Sequence, residues 1–140
     1  MAELSKQRLI ELADEKLADA KMLLEADKPA NAYYLAGYAV ELMLKAVLSS
    51  RFQADTLPDP SWSKDVFAHD LKKLTRLALL DDKLKSGEDA DPEFAARWQI
   101  VQGWNETSRY DVRGTDPAKE LIEAIDDPDH GVLQWLRARL

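Results

Sequence analysis

The chain has 140 residues, 46% of them hydrophobic, no cysteine and a formal net charge of −7. That length supports one domain with a core of its own, and the missing cysteines exclude disulfides and thiolate metal sites and fit a reducing, cytoplasmic setting. The acidic balance argues against broad non-specific binding to DNA or RNA, which relies on Lys and Arg to neutralise phosphates.

Residues 3–26 read as a first amphipathic helix, because Leu9, Ala13, Leu17, Ala20 and Leu24 recur at steps of three and four. The same stretch mixes acids and bases and lacks the apolar run of a signal peptide. Asp27-Lys28-Pro29 breaks it, since proline disfavours helical backbone at the residue before it and can itself open a second helix. So short a joint implies an antiparallel pair. Residues 30–48, ANAYYLAGYAVELMLKAVL, carry only two charges, Glu41 and Lys45. A helix that is apolar nearly all round lies inside a core or in a membrane. Two mid-span charges would each cost about 2.5–3.5 kcal/mol on membrane insertion, and the flanking segments are amphipathic. The segment is therefore read as the central helix of a bundle, with no membrane span. Gly37 inside it costs roughly 1 kcal/mol against alanine; a close helix crossing would explain the choice, and a merely tolerated glycine would do so equally. Tyr33, Tyr34 and Tyr38 read as core rings whose hydroxyls find partners at the edge.

Residues 52–64 read as a loop, with Pro58, Asp59, Pro60 and Ser61 as turn formers and Trp62 pinning it to the bundle. Residues 69–80, HDLKKLTRLALL, form a third helix with Leu71, Leu74, Leu77 and Ala78 inward and His69 at its start. Residues 81–91 are polar and contain Gly87, so they read as a connection. Pro92 starts a fourth helix, with Phe94, Trp98, Val101 and Trp104 facing the core, which fades at residues 106–110. Asp116-Pro117 reads as a cap and first turn of a fifth helix. Residues 126–129 interrupt it, and residues 130–140 continue with Val132, Leu133, Leu136 and Leu140 inward. No stretch alternates with period two. The expectation is an all-α, up-and-down bundle of five or six helices forming a single domain over residues 1–140.

Several chemistries lack their motifs. There is no glycine-rich phosphate loop, no His-Glu-x-x-His pair and no Gly-x-Ser-x-Gly elbow. Only two histidines occur, far apart, so neither a metal site nor a cofactor is expected. Glu41 and Lys45 are four apart and stack on one helical face, acid before base. Buried, each would need a partner, since unpaired buried charge is costly.

Three strings in order, NAYYLAGYAVELMLKAVL, HDLKKL and WNETSRY, resemble the HEPN domains, small all-helical prokaryotic modules. The likeness spans roughly residues 5–125. It implies an up-and-down bundle, commonly dimeric, of a kind that includes ribonuclease toxins and partners of small nucleotidyltransferases. The family's ribonuclease mark is an arginine followed, after four to six residues, by a histidine. After Arg109 those positions hold Gly114, Thr115 and Asp116; after Arg113 they hold Ala118, Lys119 and Glu120. Metal-free RNA cleavage needs a proton-moving group and a cation to steady the phosphorane, and here the arginine stands without its histidine.

By position, the resemblance gathers Glu41, Lys45, His69, Arg109 and Tyr110 around one end of the bundle. One reading is a buried Glu41–Arg109 bridge at direct hydrogen-bonding distance. The other is a nucleotide- or phosphate-sized pocket using Lys45, His69 and Arg109. The functional expectation is a non-catalytic homodimer that binds a partner, such as a nucleotidyltransferase in a toxin–antitoxin or defence system. The alternatives are a metal-free ribonuclease with a site rebuilt from His69 and Arg109, and a nucleotide-binding sensor.

Overall fold

A computed structural model describes residues 5–50 and 69–140. Its elements are α1 (Lys6–Glu25), α2 (Pro29–Ser49), α3 (Leu71–Leu77), α4 (Asp81–Ala90), α5 (Pro92–Gln102), a 3-10 helix (Glu106–Tyr110), α6 (Thr115–Asp126) and α7 (Val132–Arg137). There is no strand among the described residues. The loop expected at residues 52–64, with Trp62, lies outside them. No helix among the described residues is long and apolar enough to cross a membrane.

Local signals set the helix ends. The Ser5 hydroxyl accepts the Arg8 N–H at 3.0 Å and caps α1, satisfying one of the donors that a helix start leaves open. Leu9, Ala13, Leu17 and Ala20 of α1 are buried. The chain turns through Asp27 in the left-handed region, at φ 60°, and Pro29 opens α2. This is the tight antiparallel joint that the proline implies. α2 lies along α1 and also touches α3, the 3-10 helix, α6 and α7, so it is the axial element.

Among the described residues there are seven α-helices and a 3-10 turn, against the five or six expected for the chain, and Asp81–Ala90 is helical rather than a connection. Only Leu84 is buried in α4, so no periodic apolar stripe betrays it. Asp81 and Asp82 in its first turn complement the positive end of the helix. The third helix is shorter than 69–80. It is capped by Asp70, whose carboxylate accepts the Lys73 N–H at 3.2 Å, and it ends where exposed Leu79 turns left-handed at φ 58°. At α6 the cap is Gly114 rather than Asp116, which sits in the first turn.

The core holds the inward residues that helical spacing selects, among them Leu71, Leu74, Phe94, Trp98, Val101, Trp104, Leu121 and Ile125. Gly37 serves the close approach. A Cβ there would stand within the Trp104 indole ring, so α2 and the chain after α5 meet face to face at that point. At the far side, His130 clamps the turn before α7 to the start of α5. Its Nδ1 lies 2.7 Å from Asp91 and its Nε2 2.6 Å from Glu93. The hydrogen bond with Asp91 holds the His130 pKa above its ordinary value and the Asp91 pKa below.

Candidate functional site

The site grows from the one acid in the apolar helix. Glu41 is wholly buried on α2, so its charge has to be matched by other side chains. Lys45, one turn further on, supplies one match, with Nζ 3.3 Å from Oε2. His69 supplies the other. Its Nδ1 stands 3.1 Å from both carboxylate oxygens. A carboxylate only accepts, so Nδ1–H is the donor and Nε2 is directed elsewhere. His69 reaches this position because it lies just before the Asp70 cap of α3, ahead of the helix rather than within it.

On its other side, the His69 Nε2 lies 3.8 Å from Glu106. Glu106 also lies 3.9 Å from Arg109. The Arg109 guanidinium stacks on Tyr110 at 4.8 Å from the ring centroid. The Tyr110 hydroxyl, its foremost influence, keeps the Arg109 pKa above the ordinary value. The result is a chain of polar contacts, Lys45–Glu41–His69–Glu106–Arg109, running from the core out to exposed Tyr110. All five residues picked from the sequence belong to this one end of the bundle.

The pairing within it differs from expectation. Glu41 and Arg109 make no direct hydrogen bond or ion pair. The segment carrying Arg109 is a 3-10 helix, in which residues three apart eclipse. Arg109 is thereby stacked over Glu106 and remains exposed, while His69 occupies the place beside Glu41. Glu106, the acid that joins the two halves, was not picked from the sequence. Its signal was there: an acid three residues before Arg109, inside WNETSRY.

Aromatic rings wall the site. Tyr34 lies 6.0 Å from Trp104 and 6.0 Å from Tyr38. Burial, and then the nearby Glu41 carboxylate, push the Tyr38 phenol above its ordinary pKa. A cleft of about 460 Å³ opens between the start of α3 and the end of α5, lined by His69, Lys72, Gln102, Trp104, Asn105 and Glu106 among others. Trp104 is 3% exposed, and its indole Nε1 is buried without an acceptor among the described residues.

The one group among the described residues with metal-ligand spacing is Asp91, Glu93 and His130, which belongs to the clamp. Both of that ring's nitrogens already face carboxylates.

An all-helical bundle with an axial apolar helix, and a polar chain at one end of it, defines a class of small helical domain. A family model described as the HEPN domain matches residues 7–128. The chain therefore belongs to the HEPN domain family. No curated protein and no solved structure matches the chain significantly.

Proposed function

We propose that this HEPN protein works as a homodimeric binding module rather than as a nuclease. One observation supports this above others: every candidate catalytic side chain already has an acid of its own chain beside it. Lys45 faces Glu41, His69 faces Glu41 and Glu106, and Arg109 faces Glu106. Cations compensated in this way are poor stabilisers of phosphorane charge, because their field is spent on fixed carboxylates. The arginine–histidine spacing of the family's ribonucleases is absent as well. The partner it binds is a protein such as a small nucleotidyltransferase of a toxin–antitoxin or defence pair, with the cleft beside His69 as part of the contact.

A second reading rests on the Glu41–His69 pair. A buried carboxylate fixing one ring nitrogen, with the other facing a cleft, is the arrangement of an oriented general base. In that case the chain is a ribonuclease rebuilt around His69. Purified protein incubated with single-stranded RNA separates the two. The binding module leaves the RNA intact. Cleavage that His69→Ala abolishes, in a variant with unchanged thermal melting, overturns it in favour of the second reading.

A further inference from the structure

Two ties hold the turn between α6 and α7 against α5. Asp127 makes the first. Its Oδ1 accepts the backbone N–H groups of Asp129 and His130, each at 2.9 Å, and its Oδ2 accepts from Arg97 at 2.8 Å. His130 makes the second. Its Nδ1 lies 2.7 Å from Asp91 Oδ2, and its Nε2 lies 2.6 Å from Glu93 Oε2. The other oxygen of Asp91 caps α5, accepting from the backbone of Glu93 and Phe94. Beyond the turn, α7 buries Val132, Leu133 and Leu136, and Trp135 stacks on Phe94 at 5.2 Å. His130 and all of α7 lie outside residues 7–128, which the family model matches. The second tie thus fastens a C-terminal piece to the family's bundle.

The two ring contacts set the protonation state. A neutral imidazole carries one N–H. Given to Asp91, that proton sits on Nδ1 and leaves a bare lone pair on Nε2, 2.6 Å from a carboxylate oxygen of Glu93. Two negative ends at that distance repel, whereas the imidazolium, with a proton on each nitrogen, suits both acids. The same protons occupy the lone pairs that a metal ion would need. Among the described residues, the charged groups around the ring are Asp91 and Glu93 on α5, and Asp127 and Asp129 in the turn. Arg97 is held by Asp127, and Arg139 lines the same hollow of about 310 Å³ as His130. α4 brings only Gly87 and Ala90 to that hollow. We propose that His130 is a proton-operated latch: its imidazolium fastens α7 to the start of α5, and loss of the proton loosens α7 while the Arg97–Asp127 tie stays closed.

The direction follows from the charges. The hydrogen bond to Asp91 holds the His130 pKa above the ordinary 6.5. The latch is therefore complete below 6.5 and is lost as pH rises through the folded value. The His130 ring holds the Asp91 pKa below the ordinary 3.8, and backbone N–H groups hold that of Asp127 below it too. Both acids thus stay charged throughout the histidine range.

The test is NMR of the whole chain from about pH 5 to about pH 9, which brackets histidine titration. The His130 ring should carry a proton on both nitrogens at the acid end and titrate above the ordinary value. His69, the other histidine of the chain, is told apart by the spectrum of His130→Gln. Amide exchange, corrected for its intrinsic pH dependence, should lose about threefold of protection in α7 over the same step, the worth of a partly exposed charged pair, while α2 keeps its own. Glu93→Gln removes one acid and leaves the Asp91 cap, so His130 should titrate lower and the α7 step should move with it. His130→Gln should abolish the step and hold α7 at the parent's high-pH protection. The latch is overturned if His130 titrates at or below the ordinary value, or if α7 shows no step where His130 titrates. It is equally overturned if α2 loses protection in equal measure, or if the step survives His130→Gln.

Discussion

A carboxylate with no exposed surface contributes to the fold only through its partners, and Glu41 has two. Removing the charge leaves Lys45, whose side chain is 13% exposed, without its acid. Breaking such a pair costs about 3–5 kcal/mol where both ions are buried. His69 is 38% exposed, so solvent screens part of that loss. Glu41→Gln is therefore expected to destabilise by about 3 kcal/mol, a drop in Tm of roughly 10 °C for a chain of this size. Arg109 is 46% exposed and faces a half-exposed Glu106, so Arg109→Ala should stay within about 0.5 kcal/mol of the parent. Thermal denaturation of the two variants measures the contrast. Equal losses would mean that Glu41 and Arg109 act as one bridge after all. The need for partners around Glu41 was legible in the sequence, because it is the only acid in an apolar helix. Lys45 was legible too, one turn along the same helical face; His69 as a partner was not. His69 is 28 residues away, and no spacing rule connects a residue ahead of a helix cap to one buried in another helix.

At the scale of elements, α2 and the segment around Trp104 meet at Gly37. Helix propensity alone favours alanine there by roughly 1 kcal/mol. The Trp104 ring occupies the space a Cβ would need, and overpacking a tight core costs about 1–3 kcal/mol. Packing wins, so Gly37→Ala is expected to lower stability by about 1–2 kcal/mol, read by chemical denaturation. Trp104→Leu should cost more alone, and the double variant less than the sum, since the two residues share one contact. Additive losses would place the Gly37 effect elsewhere. Elements with a clear apolar stripe or run, such as α1, α2 and α5, were legible because their inward residues recur at helical spacing. α4 was not, because it buries a single leucine among acids and lysines. The 3-10 turn was read only as a fading helix end, yet its three-residue period decides which acid Arg109 meets.

For the whole molecule, the outer stripe of α2 is the feature a single chain leaves unfinished. Asn31, Tyr34, Leu35, Tyr38, Lys45 and Ser49 fall on one side of the helix at steps of three, four and seven. All are partly or fully exposed, while the other faces of α2 are covered by its neighbours. Two tyrosines and a leucine on the axial helix are an apolar surface of the kind that marks an interface. A second copy meeting this stripe would cover it symmetrically, as in most small homo-oligomers. It would also bring two Glu41–His69 ends towards each other, making the cleft a shared feature of the dimer. Light scattering should then give close to twice the chain mass of 15.8 kDa at micromolar concentration. Leu35→Glu places a charge in the stripe, at a partly exposed residue that packs along the edge of the core. It should return the mass to that of one chain with thermal melting retained at low concentration, where the parent also dissociates. A parent that stays at one chain mass across the micromolar range, or a Leu35→Glu variant that still dimerises, removes this face as the interface.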